Sequence, residues 1–253
     1  MRARGGWGSG LATDIKTGIL FCTRLPVPHT APIDSGDVAR ASWAFPVAGA
    51  LVGSGGALTY AIASGIRLPS ALAAVLALGA TLLITGCLHE DGLADTADGL
   101  GGGRDRARKL EIMRDSRLGT FGAIAVFFDL TLKILALSTL AGSRRYDALL
   151  IAPTLARLAM VAIPYGLNYL REQGAGSMLL ARSFSFDRKF VMGLIMLMLA
   201  VIFTDFKIVL IAIAVTLATR WFYLRWLGGV TGDLIGAGGE LVEIAVLVAM
   251  TIT

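Results

Sequence analysis

From Leu68 to Leu88 the chain runs for about twenty residues without a charged side chain, and then enters H-E-D-G-L-A-D-T-A-D-G at residues 89–99. An apolar run of that length is what a helix needs to cross a bilayer. Hydrocarbon offers no hydrogen bonds to backbone groups, so a chain built from such runs is restricted to helices or a closed barrel. Runs near twenty residues fit helices, whereas barrel strands need about half that. With 55% hydrophobic and only 16% charged residues, against roughly a quarter charged in soluble domains, the expectation is an all-α, polytopic membrane bundle. No linker divides residues 1–253, so one membrane-embedded domain is expected.

Residues 11–23 read as a short amphipathic helix at the interface, stopped before Pro26 and Pro28. Spans are expected at about 43–66, 70–90, 119–141, 148–169, 190–204 and 207–223, with a last one beginning near Glu240. That is about seven. A polar, strongly charged segment covers about 91–118, and glycine-rich residues 228–239 read as a loop. With the N-terminus in the cytoplasm, most of the 23 Lys and Arg residues fall on the inner side, as positive-inside topology expects. The carboxylate-rich segments fall there too, so the site is expected to face the cytosol. The N-terminal stretch with Arg2 and Arg4 is interrupted by glycines and by Asp14 and Lys16, and is read as a retained segment rather than a signal peptide. Cys22 and Cys87 suggest neither a disulfide nor a zinc site. His29 carries no usable signal.

Asp91, Asp95 and Asp98 are spaced i, i+4, i+7, which on a helix brings them within about 60° of one another. Three like charges at the end of a membrane helix repel unless a cation lies between them. A hard divalent ion such as Mg²⁺ takes oxygen ligands and keeps positions for substrate phosphates. A solvated helix end is the plain alternative, but it does not require carboxylates in register. Beside them stand Arg104, Arg106, Arg108, Lys109, Arg114 and Arg117, with Asp115 between the last two. Carboxylates for a metal next to cations for phosphate is the layout of transfer from a diphosphate donor, where positioning and charge neutralisation dominate. The same cations could anchor to anionic lipid headgroups. Gly101, Gly102 and Gly103 serve either as a backbone approach to phosphate or as a flexible connection.

A second acidic group follows T-G-D: Asp233, then Glu240 and Glu243 on one helix face at i, i+3. They could complete a metal site or supply a general base, or be ordinary helix N-terminal acids. Within the expected spans, Asp129 and Lys133 are i, i+4 and could neutralise each other, while Arg157 has no local partner. Charges inside spans usually face the protein interior, and Lys133 and Arg157 are candidates for phosphate binding. His89 lies about 160° round the helix from Asp91, away from any metal held by the aspartates.

These blocks resemble cobalamin synthase, the adenosylcobinamide-GDP ribazoletransferase family of membrane enzymes. The resemblance is carried by F-C-T-R-L-P-V-P (21–28), F-P-V-A-G (45–49), H-E-D-G-L-A-D-T-A-D-G (89–99), L-E-I-M-R-D-S-R-L-G-T-F-G (110–122) and G-G-V-T-G-D-L-I-G-A (228–237). Glu90 stands where the family more often has an apolar residue. The resemblance implies transfer of the phosphocobinamide group from adenosylcobinamide-GDP to α-ribazole or its 5′-phosphate, with release of GMP and Mg²⁺ as cofactor. By motif position it implies Asp91, Asp95, Asp98 and Asp115 at the metal and diphosphate. Asp98 or Asp115 would be the base, with Asp233, Glu240 and Glu243 as further candidates, and Arg114 and Arg117 would neutralise the leaving GMP. Arg104, Lys133, Arg157, Asp233, Glu240 and Glu243 are then expected on the substrate side. The implied location is the bacterial inner membrane, and the expected partners are the two substrates and the bilayer, with no nucleic acid; monomer and homo-oligomer both remain open.

Other Mg²⁺-dependent membrane transferases are the nearest rivals. CDP-alcohol phosphotransferases carry D-G-x-x-A-R, but here Asp91-Gly92 is followed by Leu93-Ala94-Asp95. Aspartate-rich prenyltransferases are compatible with the D-x-x-x-D-x-x-D spacing. A divalent-cation transporter would need its carboxylates near the bilayer midplane and not beside a basic loop.

Overall fold

The computed structural model describes residues 7–28, 33–171, 177 and 186–252. The described residues form helices α1 (Trp7–Cys22), α2 (Ser35–Ala41), α3 (Phe45–Gly65), α4 (Ser70–Thr85), α5 (Leu88–Gly102), α6 (Arg106–Ile112), α7 (Thr120–Thr139), α8 (Arg144–Ala162), α9 (Phe186–Phe203), α10 (Phe206–Leu227) and α11 (Gly232–Ala249). Among them there is no strand beyond one isolated bridge, Tyr169 with Val230. The all-helical expectation holds.

Three segments are long and apolar enough to cross a membrane: residues 36–65, which include α3, and helices α7 and α10. A fourth is added if α4 and α5 count as one broken span. The sequence suggests seven, and the difference has physical causes. Helix α8 is buried along most of its length and carries Arg144, Arg145, Asp147 and Arg157. Helix α11 carries Asp233, Glu240 and Glu243 and packs against α5, α7, α8 and α10. Both are surrounded by protein. The described apolar part of α9, Val191–Phe203, is short. The expected 70–90 helix ends at Thr85: Gly86 (φ 67°) and Cys87 (φ 59°) are both left-handed, and α5 leaves at 90° to α4. The expected loop at 228–239 is largely helix, because the Thr231 side chain accepts from the Leu234 N–H and caps α11 at residue 232.

Small residues set the packing. A Cβ on Gly49 would lie 2.4 Å from the Pro153 carbonyl oxygen and one on Gly53 2.2 Å from that of Leu149, so α3 and α8 touch backbone to backbone, as bilayer packing favours. Helix α7 shows how the bundle divides its faces. Phe121, Ile124, Phe127, Phe128 and Leu135 are exposed, whereas Asp129, Lys133 and Ala136 are buried. Apolar side chains face outward and charges inward, the inverse of a water-soluble helix. The amphipathic segment near the N-terminus is α1, and its Asp14 is fully buried, accepting from Arg40 Nε at 2.8 Å and Trp43 Nε1 at 2.9 Å.

Candidate functional site

Helix α5 carries the three aspartates in the expected register, but in three environments: Asp91 is exposed, Asp95 half-buried and Asp98 buried. Gly92 brings α5 onto the first turn of α11, where an added Cβ would lie 2.9 Å from the Asp233 carbonyl oxygen. Asp233 thereby joins the group. Asp95 lies within the fields of Asp233, Asp91 and Asp98, with Arg171 opposing them. Burial raises the Asp233 carboxyl above the usual aspartate range, Arg171 pulls the other way, and Asp91 adds to the rise.

The sequence reads residues 171–189 as a polar loop beginning at Arg171, and most of it, Phe184 included, lies outside the described residues. The Arg171 guanidinium pairs with Asp233 and donates to the Met113 carbonyl at 2.9 Å. The strand-like contact between residues 168–170 and Val230 holds it there, with Leu170 N–H donating to Val230 and Val230 N–H to Asn168, each at 2.9 Å. No local pattern marks this residue, because the contact closes 62 residues of chain.

Asp91, Asp95 and Asp233 thus lie within one another's fields, with Arg171 paired to Asp233 and acting on Asp95. Among the described residues no group of three or more His, Cys, Asp or Glu side chains is placed to hold a metal ion. Carboxylate oxygens are the donors that a hard ion such as Mg²⁺ takes, one or two of them commonly sharing its shell with water and substrate phosphates.

Asp98 and Asp115 stand differently. Asp98 accepts from Gly119 N–H at 2.7 Å and Gly122 N–H at 2.8 Å, binding the start of α7 to α5. Each oxygen retains a free lone pair. Asp115 is gripped by Arg117 through Nε at 3.0 Å and Nη2 at 2.6 Å. These bonds hold its carboxyl down to about 2, and a group so acidic is a weak proton acceptor near neutrality. Arg104, Arg114 and Arg117 are exposed around this loop. In the last turn of α5, a Cβ added to Gly101 would lie 2.5 Å from the Phe121 ring, so this helical glycine makes room for that ring rather than forming a flexible hinge.

Beneath the aspartates lies a buried charge network. Lys133, 2% exposed, pairs with Glu240, with Asp129 at 3.1 Å and with Glu243 at 3.5 Å. Arg157 donates to Glu243 at 2.6 Å and lies 3.1 Å from His89 Nδ1. Arginine can only donate, so Nδ1 accepts and the ring proton sits on Nε2. Glu90 is buried beside Lys133 and Glu240. The structure therefore brings Lys133, Arg157, Glu240 and Glu243 together with one another, and not with Asp233 or the α5 aspartates. Lys133 and Asp129 do neutralise each other, as their spacing suggested, but within a larger set. Arg157 finds its partners 68 and 86 residues away. His89, expected to lie away from the aspartates, ties α5 to this network through Arg157, and Glu90 lies buried within its field.

The chain is similar to named relatives over nearly its whole length. It is 43% identical over 244 residues to the adenosylcobinamide-GDP ribazoletransferase of Bradyrhizobium diazoefficiens, covering 92% of this chain and 91% of that one. Identity is 38% to the protein of the same name from Azorhizobium caulinodans, covering 96% and 97%, and 39% to that from Mesorhizobium japonicum, covering 94% and 93%. No solved structure matches. The family model for cobalamin-5-phosphate synthase matches residues 14–251. That match takes in both the open aspartate group and the charge network below it, and the chain belongs to the cobalamin-5-phosphate synthase family.

Proposed function

We propose that the chain transfers the phosphocobinamide group of adenosylcobinamide-GDP to α-ribazole or its 5′-phosphate, giving adenosylcobalamin or its 5′-phosphate and GMP. The observation that carries this reading is the meeting of Asp91 and Asp95 on α5 with Asp233 on α11 beside Arg171. Asp91 and Asp95 would hold Mg²⁺. When bound, the ion would neutralise the diphosphate and the charge that develops on the leaving phosphate.

Asp233 is the proton acceptor this reading favours. Its raised carboxyl is better matched to taking a hydroxyl proton than Asp115, and Asp98 already serves two backbone N–H groups. The ribose hydroxyl oxygen of the acceptor forms the new bond to the phosphorus that carries cobinamide. The bond from that phosphorus to the bridging oxygen breaks, GMP leaves with the bridging oxygen, and the hydroxyl proton passes to Asp233. Arg171 orients Asp233, and Arg104, Arg114 and Arg117 supply exposed positive charge for the departing nucleotide. Lys133, Arg157, Glu240 and Glu243 support α5 and α11 from below. The inner membrane, with the site facing the cytosol, is the location we favour, because basic residues gather on the side that carries the aspartates.

The deciding experiment measures GMP release from adenosylcobinamide-GDP and α-ribazole 5′-phosphate by detergent-solubilised protein, with and without Mg²⁺. Mg²⁺-dependent product that vanishes in Asp95→Asn is the expected result. Folded protein that releases no GMP would overturn the reading; pyrophosphate from a prenyl diphosphate, or CMP from a CDP-alcohol, would assign the site to a different transferase.

A further inference from the structure

The basic segment after α5 divides into two sets. Arg108 pairs with Glu111 at 2.8 Å and Arg117 with Asp115 at 2.6 Å. Arg106 and Lys109, on the same short helix, have no carboxylate within ion-pair distance among the described residues, and neither has Arg225 at the end of α10. Lys109 and Arg225 lie against one aromatic ring, and Arg106 lies two residues further along, at Gly228. Lys109 Nζ lies 5.6 Å and Arg225 Cζ 5.8 Å from the centroid of Trp226. Arg106 Nη1 comes within 3.2 Å of where a Cβ would stand on Gly228, the residue that ends α10. The C-terminus of α10 offers roughly half a negative charge, far less than three cations.

The surroundings are apolar. Trp226 is 55% exposed, Trp221 64% and Leu224 53%. They continue the outward face of a helix long and apolar enough to span the bilayer. Exposed tryptophans in the last turns of such a helix mark the level of the membrane interface, and cations at that level attract anionic headgroups. A free inorganic phosphate would use the cations but has no use for an exposed indole wall, and a nucleotide, whose base could stack on it, is an outcome of the test.

We propose that Arg106, Lys109 and Arg225 form a binding site for the phosphate headgroup of an anionic phospholipid. Its acyl chain lies along Trp221 and Leu224. The site fastens α6, and with it the loop that carries Arg114 and Arg117, to the membrane surface. It is separate from the aspartate group and stands whether or not the proposed transfer reaction is correct.

The test is tryptophan quenching in bilayers that contain either brominated phosphatidylglycerol or brominated phosphatidylcholine at equal mole fraction. The wild-type protein should associate with the anionic lipid on the order of tenfold more strongly. Arg106→Gln/Lys109→Gln/Arg225→Gln should bring the ratio to about one, whereas Arg106→Lys/Arg225→Lys should keep it. Added salt should lower the wild-type ratio, because headgroup attraction is screened. That arm decides the matter even where the triple variant fails to fold. Equal quenching by the two lipids, a ratio unchanged by salt, or displacement of the brominated lipid by GDP would each overturn the proposal.

Discussion

Gly122 and Asp98 meet at 2.8 Å, the glycine N–H donating to a buried carboxylate that also takes the N–H of Gly119. A Cβ on Gly122 would lie 2.4 Å from Asp98 Oδ2. Gly122→Ala must therefore push the carboxylate off the α7 terminus and leave two buried N–H groups without acceptors. Each such loss costs about 1–3 kcal/mol. The expected outcome is destabilisation within that range or above it in detergent unfolding experiments, with Asp98→Ala similar. Asp98→Asn, which retains one acceptor oxygen, should cost less.

Lys133 stands among three carboxylates from two helices. Lys133→Met leaves Asp129, Glu240 and Glu243 buried with Arg157 as the remaining nearby cation. Removing one member of a buried pair commonly costs about 3–5 kcal/mol, more than the pair itself contributes. Lys133→Met and Glu240→Gln should each be strongly destabilised, and the double variant should be more stable than the sum of the single losses predicts. Unfolding of the four proteins in one double-mutant cycle measures this coupling, and additive losses would refute it.

The fold class and the aspartate register were legible because both depend on local spacing: about twenty uncharged residues for a span, and i, i+4, i+7 for a shared helix face. The pairing of Asp129 with Lys133 was legible for the same reason. Asp233 beside Asp91 and Asp95 is one of the alternatives the sequence offers for the second acidic group, but Arg171 closing on Asp233 and Arg157 reaching His89 and Glu243 were not legible, since each contact joins segments distant in sequence. Of the seven spans the sequence suggests, three are long and apolar enough to cross, or four with the broken pair, and α8 and α11 are not among them. Their composition is apolar enough to suggest lipid, but their charges are satisfied only by neighbouring helices. The G-T-F-G block at 119–122 was visible as a motif, yet its purpose appeared only once Asp98 was found between its two glycines.

Asp233 carries a pH signature. Burial raises its folded carboxyl above the unfolded value, so between those two values the unfolded chain has released its proton while the folded chain keeps it. Stability at this group is therefore lost as pH rises through that interval, the reverse of an ordinary salt-bridged aspartate. In Mg²⁺-free buffer, Asp233→Asn should match wild type at acid pH and become the more stable of the two toward neutrality. Melting temperatures of both proteins across that range check it. A constant difference at every pH would remove the burial argument.

The break between α4 and α5 depends on two adjacent left-handed residues of opposite tolerance. Gly86 (φ 67°) has no room for a side chain, because a Cβ would lie 2.1 Å from Arg24 Nε. Gly86→Ala therefore combines the left-handed cost of about 1–2 kcal/mol with displacement of Arg24. Cys87 (φ 59°) already bears the left-handed cost, and Cys87→Gly removes it while adding up to about 1 kcal/mol of chain entropy to the unfolded state. The two effects nearly offset, so Cys87→Gly should unfold within about 1 kcal/mol of wild type while Gly86→Ala is clearly weaker. Because the 90° turn at this point aims α5 across α11, Gly86→Ala should also lose more GMP release than its unfolding curve explains. Activity measured well below the melting transition separates the two effects. Activity that is full whenever the protein is folded would mean that the bend does not position Asp91 and Asp95.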